Sequence, residues 1–244
     1  MASDQFGSVT VTAFNETLLK IALLEDDSLL RERILLPRLT DYGFDVAAME
    51  TAAELEAHLA GSMPHIVVLD VGLPDADGFG LAQDLRRRYP DLGIVMLTGR
   101  NGTSDRVRGL SEGADAYLAK PVEVEVLAAT LQSLARRLRL MVPDHGKGWR
   151  LDASGWCLLS PAGGSIPLTR AERRLLGRLL ECPAGTLVLR EQLIKAMTED
   201  VHQFDPHRLE SVIHRLRRKV TALSAGALPL RAVHGEGYVF GSTA

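Results

Sequence analysis

His65-Ile-Val-Val-Leu-Asp70-Val-Gly-Leu-Pro-Asp-Ala-Asp-Gly78 is the stretch that decides the fold. Four apolar residues, Ile66 to Leu69, run into Asp70, and a turn carrying Gly72, Pro74 and Gly78 follows. A short apolar run closed by turn residues reads as a strand buried on both faces, as in a parallel sheet. Asp70 then stands at the carboxyl end of a central strand, the edge where open α/β sheets bind ligands. A carboxylate there can ligate a metal, act as a base or nucleophile, or simply cap the turn.

Working outward, Lys20 to Leu24 is a second apolar run, ending on Glu25-Asp26-Asp27. Ser28 to Thr40 has helical spacing, with Pro37 expected to kink the helix or end it early. Asp27 is expected to cap it. Strands are predicted at Phe44–Met49, Gly93–Thr98 and Ala116–Ala119, and helices at Ala52–Ala60, Phe79–Tyr89, Ser104–Glu112 and Glu123–Leu140. Strand and helix alternate five times, which argues for a parallel sheet with helices on both faces.

In such a sheet the strand ends share one edge. Glu25, Asp26, Asp70, Thr98 and Lys120 should therefore converge. Three clustered carboxylates repel one another unless a cation neutralises them. An all-oxygen set selects a hard cation, and Mg²⁺ fits because it takes few protein ligands and keeps waters. With Lys120 and the Thr98 hydroxyl added, the site can bind a phosphoryl group, with Asp70 as a nucleophile that forms an aspartyl phosphate.

Glu25-Asp26, Asp70 with Leu73-Pro74 and Asp77-Gly78, Thr98, and Lys120-Pro121 resemble the receiver domain of bacterial two-component response regulators, over about residues 18–140. The resemblance implies a flavodoxin-like (βα)5 fold. It implies that Asp70 accepts a phosphoryl group from a sensor histidine kinase. It implies that Glu25, Asp26, Asp70 and the Gly72 carbonyl hold Mg²⁺, that Lys120 pairs with the phosphoryl group, and that Thr98 turns toward it so that Tyr117 swings inward. The sequence departs from the pattern in places. Val122 replaces an aromatic after Lys120-Pro121. Ala116, Val126 and Thr130 stand where the OmpR/PhoB-type dimer face carries charges.

Composition is that of an ordinary globular protein, with 46% apolar and 24% charged residues in 244. No run reaches the length of a membrane span. Residues 1–17 lack the basic start and apolar core of a signal peptide and read as a loosely ordered extension. Cys157 and Cys182 make no disulfide framework, so a reduced, cytoplasmic setting is expected. The net charge of −3 conceals an acidic part and a basic part. Residues 1–140 hold 14 Lys and Arg against 21 Asp and Glu, while residues 141–244 hold 14 against 10. Two domains are expected, joined by a linker at 141–148, with a polyanion as partner of the second.

In the second part, Trp149–Asp152, Trp156–Leu159 and Ser165–Leu168 read as short strands. Thr169 and Glu172 form a capping box ahead of the apolar run to Leu180. Arg190–Met197 is a helix, Thr198–Asp205 a polar loop, and Pro206–Leu223 a long helix. On that helix Leu209, Ile213, Leu216 and Val220 make one apolar stripe. Arg208, Ser211, Arg215, Arg218 and Lys219 are assigned to the opposite, basic side, as DNA contacts. A hairpin follows, Leu230–Val233 and Tyr238–Phe240 around His234-Gly-Glu-Gly237. The arrangement is that of a winged helix-turn-helix.

Leu168-Thr169, Glu172, Leu175-Leu176, Arg190-Glu-Gln-Leu193, Arg215-Leu-Arg-Arg-Lys219 and Gly235-Glu-Gly-Tyr238 place residues 149–241 in resemblance to the OmpR/PhoB-type effector domain, an α+β winged helix. The resemblance makes Pro206–Leu223 the recognition helix, the hairpin a minor-groove wing, and the loop 198–205 the place where relatives meet RNA polymerase. His234 stands where an arginine is common, so a weaker or pH-sensitive wing contact is expected.

The resulting expectation is a transcription regulator rather than an enzyme. Phosphorylation of Asp70 would change dimerisation on double-stranded DNA. One alternative is a DNA-binding regulator whose receiver answers to protein contacts without phosphate. A haloacid-dehalogenase-type phosphatase is disfavoured, because Gly72 stands where such enzymes place a second aspartate.

Overall fold

The computed structural model describes residues 18–99, 113–138, 148–198, 207–223 and 227–241. The extension 1–17, the helix expected at Ser104–Glu112, nearly all of the linker and the loop up to Asp205 lie outside them.

Five parallel strands form the first sheet: β1 (Leu19–Leu24), β2 (Phe44–Met49), β3 (Ile66–Asp70), β4 (Gly93–Thr98) and β5 (Ala116–Ala119), in the order β2-β1-β3-β4-β5. This is the flavodoxin-like order. β3 and β4 are buried along their whole length, as their unbroken apolar runs require.

Successive side chains point to opposite faces, so each strand feeds two cores. Ile21, Leu23, Val68 and Val95 pack with Leu39 of α1 (Leu36–Asp41) and Leu127 and Leu131 of α4 (Val124–Arg137). Ala22, Leu24, Val67 and Leu69 pack with Leu55 of α2 (Ala52–Gly61) and with Phe79 and Leu85 of α3 (Gly78–Arg88).

The helix over Ser28–Thr40 does not end at Pro37. Leu29–Leu35 is π-helical and runs straight into α1, with Pro37 in its first turn. A wider turn ahead of Pro37 leaves room for a ring that supplies no N–H. Asp27 accepts from the N–H groups of Leu29 and Leu30, at 2.9 and 3.1 Å, which bears out the cap.

The remaining residues build two small antiparallel sheets around a third core. β6 (Arg150–Leu151), β7 (Cys157–Leu159) and β8 (Ser165–Pro167) form one. α5 (Arg170–Leu180) begins with the expected capping box of Thr169 and Glu172. Then come β9 (Leu187–Leu189), α6 (Arg190–Met197), α7 (His207–Leu223), β10 (Leu230–Val233) and β11 (Gly237–Phe240). The wing is a three-stranded sheet, β10-β11-β9, where the sequence reading had only a hairpin. β9 escaped that reading because it has three residues and only Val188 is buried. It lies so close to β11 that a Cβ on Gly237 would come within 2.1 Å of the Val188 carbonyl oxygen.

The two parts touch. The indole of Trp156 lies on Gly43, a glycine at φ +80°, where a Cβ would fall 2.3 Å from the ring. Arg136 Nη1 donates to Ser165 Oγ at 2.9 Å. Among the described residues no helix is long and apolar enough to cross a membrane.

Candidate functional site: an acidic pocket and a basic helix

The carboxyl edge of the first sheet brings the expected residues together. Glu25 follows β1, Asp70 ends β3, Thr98 ends β4 and Lys120 follows β5. One carboxylate oxygen from each of Glu25, Asp26 and Asp70 lies within 4.8 Å of the others. Lys120 Nζ donates to Glu25 Oε1 at 2.7 Å and stands 3.0 Å from Asp70 Oδ2. Asp70, Gly72, Asp77, Phe79, Thr98 and Lys120 line one cleft. Glu25 is 0% and Asp70 5% exposed, whereas Asp26 faces solvent.

Burial pushes the Glu25 carboxyl above its ordinary range. Lys120 opposes that shift, and the charges of Asp70 and Asp26 add to it. Burial also works against the charge of Lys120, but its hydrogen bonds to Glu25 and Asp70, with their charges, hold its pKa above the usual lysine value. One ammonium facing three carboxylates leaves the pocket short of positive charge. Glu25 Oε2 is buried with no hydrogen-bond partner among the described residues. A buried acceptor in that condition is costly unless an ion or water fills the place. The donor set, all oxygen and partly open to solvent, fits a hard divalent cation such as Mg²⁺.

Local sequence explains the precision. Asp77 caps α3 by accepting from the N–H groups of Phe79 and Gly80, at 3.4 and 3.3 Å. Gly78 must be glycine, because a Cβ would lie 2.7 Å from the Asp70 carbonyl oxygen. Tyr117 packs on the α3 side of the sheet, and its hydroxyl is buried, with no partner among the described residues.

Arg31 was missed in the sequence. It is buried, and Nη1 donates to the Glu25 carbonyl at 2.6 Å. The available signal was its place on the stripe of Leu35 and Leu39, at i, i+4 and i+8, where a charge is out of character.

On α7, Arg208, Ser211, Arg215 and Arg218 are exposed on the side away from the core, and His234 is exposed at the tip of the wing. Leu209, Val212, Ile213, Leu216 and Val220 are buried. Lys219 is a correction. It is 8% exposed, and its Nζ donates to Glu172 Oε2 at 2.6 Å and to the Pro167 carbonyl at 3.1 Å. It lies seven residues after Val212, two helical turns on, and so shares the buried face. The sequence stripe had omitted Val212. Arg217 Nη2 donates to the Leu230 carbonyl at 2.7 Å and ties the helix to the wing.

The sequence matches the response regulator receiver domain over residues 21–132 and the C-terminal domain of transcriptional regulatory proteins over residues 163–240. The transcriptional regulatory protein AruR of Pseudomonas aeruginosa is 33% identical over 239 residues, covering 92% of this chain and 97% of its own. The virulence transcriptional regulatory protein PhoP of Salmonella typhi is 31% identical over 225 residues, covering 91% of this chain and 99% of its own. A crystal structure of the Thermotoga maritima response regulator DrrB, an OmpR/PhoB homolog, is 28% identical, covers 92% of this chain and 100% of that one, and has a TM-score of 0.44. The chain belongs to the OmpR/PhoB family of response regulators. The pocket of Glu25, Asp26, Asp70 and Lys120 therefore lies in the receiver domain of this response regulator, and α7 in its DNA-binding domain.

Proposed function

We propose that this response regulator is switched by phosphorylation of Asp70 and answers by changing its hold on double-stranded DNA. The observation that carries the reading is the meeting of Glu25, Asp26, Asp70 and Lys120 at one sheet edge. An Asp70 oxygen attacks the phosphorus of a phosphohistidine on a sensor kinase. A P–O bond forms, the P–N bond breaks, and the imidazole leaves with the bonding pair. Lys120 offers its ammonium to the transferred group, and Thr98 its hydroxyl. Glu25, Asp26, Asp70 and the Gly72 carbonyl would hold Mg²⁺, which when bound supplies neutralising charge. Hydrolysis returns inorganic phosphate and the free carboxylate.

On this reading residues 18–140 form the receiver, 141–148 the linker and 149–241 the DNA-binding domain, with 1–17 an extension. Arg208, Ser211, Arg215 and Arg218 approach DNA from α7 and His234 from the wing. The protein works in the cytoplasm as a homodimer on two half-sites, and the 198–205 loop meets RNA polymerase. The test is salt-controlled binding to a selected-sequence DNA library with and without beryllofluoride and Mg²⁺, using Asp70→Ala as control. The mimic is expected to tighten binding in the wild type alone.

A second reading, control by protein contact without phosphate, is favoured by the uncharged Ala116, Val126 and Thr130 where the family's dimer face carries charges. Equal DNA affinity in every arm of the same experiment would select it.

A further inference from the structure

Arg31 carries an inference that rests on the reading of Asp70 as phosphoacceptor and goes beyond it. Arginine is rarely buried without strong reasons. At 7% exposure, Arg31 is the buried arginine of the described residues. Its donors are distributed in a definite way. Nη1 reaches the main-chain carbonyls of Glu25 and Asp26, at 2.6 and 3.4 Å. Nε donates to Glu32 Oε1 at 2.9 Å and Nη2 to Glu50 Oε2 at 3.1 Å. Its two carboxylate partners lie toward the surface, while Nη1 faces the backbone that carries two of the three clustered carboxylates.

The bonds continue around the edge of the sheet. Glu50 follows β2, and its N–H donates to Glu54 Oε2 in α2 at 2.7 Å. The first N–H groups of α2, from Ala52 and Ala53, donate to Asp75 at 3.2 and 3.4 Å. Asp75 lies in the turn between Asp70 and α3. The turns after β1, β2 and β3 are thus linked, and Arg31 joins the first to the second.

We propose that Arg31 is a positioning residue: by clamping the main chain at Glu25 and Asp26 it fixes where their carboxylates stand relative to Asp70, and so sets the affinity of the pocket for a divalent cation and the rate of phosphoryl uptake. The rigid guanidinium fork suits this task, because it can serve two carbonyls and a carboxylate at once. An ammonium on a flexible stem cannot span them.

The experiment uses the full chain with Mn²⁺ as the probe. The wild type, Arg31→Met, Arg31→Lys and Leu39→Ala are compared. Leu39→Ala weakens the same helix from its buried face and leaves the clamp in place. Free Mn²⁺ is followed by electron paramagnetic resonance, phosphorylation by acetyl phosphate as kcat and KM, and folding by urea titration. Removing an outer partner of a metal ligand costs about 10–100-fold in affinity, so Arg31→Met is expected to lose at least about ten-fold in Mn²⁺ affinity and a similar factor in phosphorylation rate at fixed Mn²⁺. Arg31→Lys is expected to fall between it and the wild type, and provides the measurement if Arg31→Met does not fold. Leu39→Ala is expected to lower the urea midpoint and keep wild-type affinity. Wild-type Mn²⁺ affinity in either Arg31 variant, or an equal loss in Leu39→Ala, overturns the proposal. A wild type that neither binds Mn²⁺ nor takes up a phosphoryl group overturns the reading of Asp70 itself, and the positioning role falls with it.

Discussion

The ammonium of Lys219 donates to Glu172 Oε2 at 2.6 Å and stands 4.7 Å from the centre of the Tyr42 ring. A cation on α7 is thereby committed to the first turn of α5 and to an aromatic of the receiver. Glu172 also accepts from the Thr169 N–H at 2.9 Å as part of the capping box. Removing the cation strands a buried carboxylate, which costs about 3–5 kcal/mol. Lys219→Ala is therefore expected to lower stability by about that amount in urea titration. The salt dependence of DNA binding should stay unchanged in that variant, whereas Arg215→Ala should reduce the slope of log affinity against log salt by about one. A reduced slope in Lys219→Ala would return that residue to the DNA.

Gly237 is fixed by its neighbour rather than by its own torsion. A methyl group there would meet the Val188 carbonyl at 2.1 Å and force β9 off β11. Overpacking of this kind costs about 1–3 kcal/mol. Gly237→Ala is expected to lose about that much in thermal or urea unfolding, with weaker DNA binding because the wing loses its third strand. Gly163→Ala is not a control, since Gly163 has φ +84°. Gly61→Ala is one, with open space at its Cβ.

His65 gives a pH dependence with a definite sign. Its Nδ1 accepts from the Lys20 N–H at 2.9 Å, and burial, with the Lys20 charge, lowers its pKa from 6.5. The unfolded chain therefore takes up a proton more readily than the folded one. The stabilisation is complete above 6.5 and is lost as the pH falls through the lowered folded value. Urea midpoints measured from pH 7.5 downward should decline more steeply in the wild type than in His65→Gln. Parallel curves would exclude this source.

The wing carries His234 exposed in its turn. A permanent positive charge there would be drawn to a narrow minor groove. His234→Arg is expected to tighten DNA binding and steepen its salt dependence, as read by fluorescence anisotropy. No gain would place the tip of the wing away from the groove.

Three positions that the family resemblance assigns to a receiver dimer contact, Ala116, Val126 and Thr130, carry no charge. Val126 is 37% exposed, and Ala116 and Thr130 are uncharged. Asp115, the acid that remains beside Ala116, is engaged within the chain by Arg86 and Arg137, each at 2.6 Å. Receiver association should thus be weak or apolar and nearly indifferent to salt. A tight dimer that dissociates with added salt in analytical ultracentrifugation would contradict this.

Where a pattern is local, the sequence was readable. The apolar runs of β3 and β4 fix a two-faced sheet, and the polar residue ending each strand fixes the pocket, because strand direction alone brings Glu25, Asp70, Thr98 and Lys120 to one edge. Reading failed where the deciding fact is a distant neighbour. Lys219 looked solvent-facing until Glu172, 47 positions earlier, was placed beside it. Leu187–Leu189 has too few residues to show a period, and only its pairing with β11 makes it a strand. Arg31 hid in a helix that reads as amphipathic, and the π turn around it follows from no propensity of its residues. Cys157 is buried, which pushes its thiol up to about 12.

Trp156 resting on Gly43 has a practical consequence. The chain has two tryptophans, and this one sits where the two domains touch, under the guanidinium of Arg173 at 4.6 Å. Replacing Trp149 by phenylalanine would leave a single indole whose emission colour depends on whether the receiver shields it from water. The protein then carries its own optical gauge of domain separation, readable during activation without any attached dye.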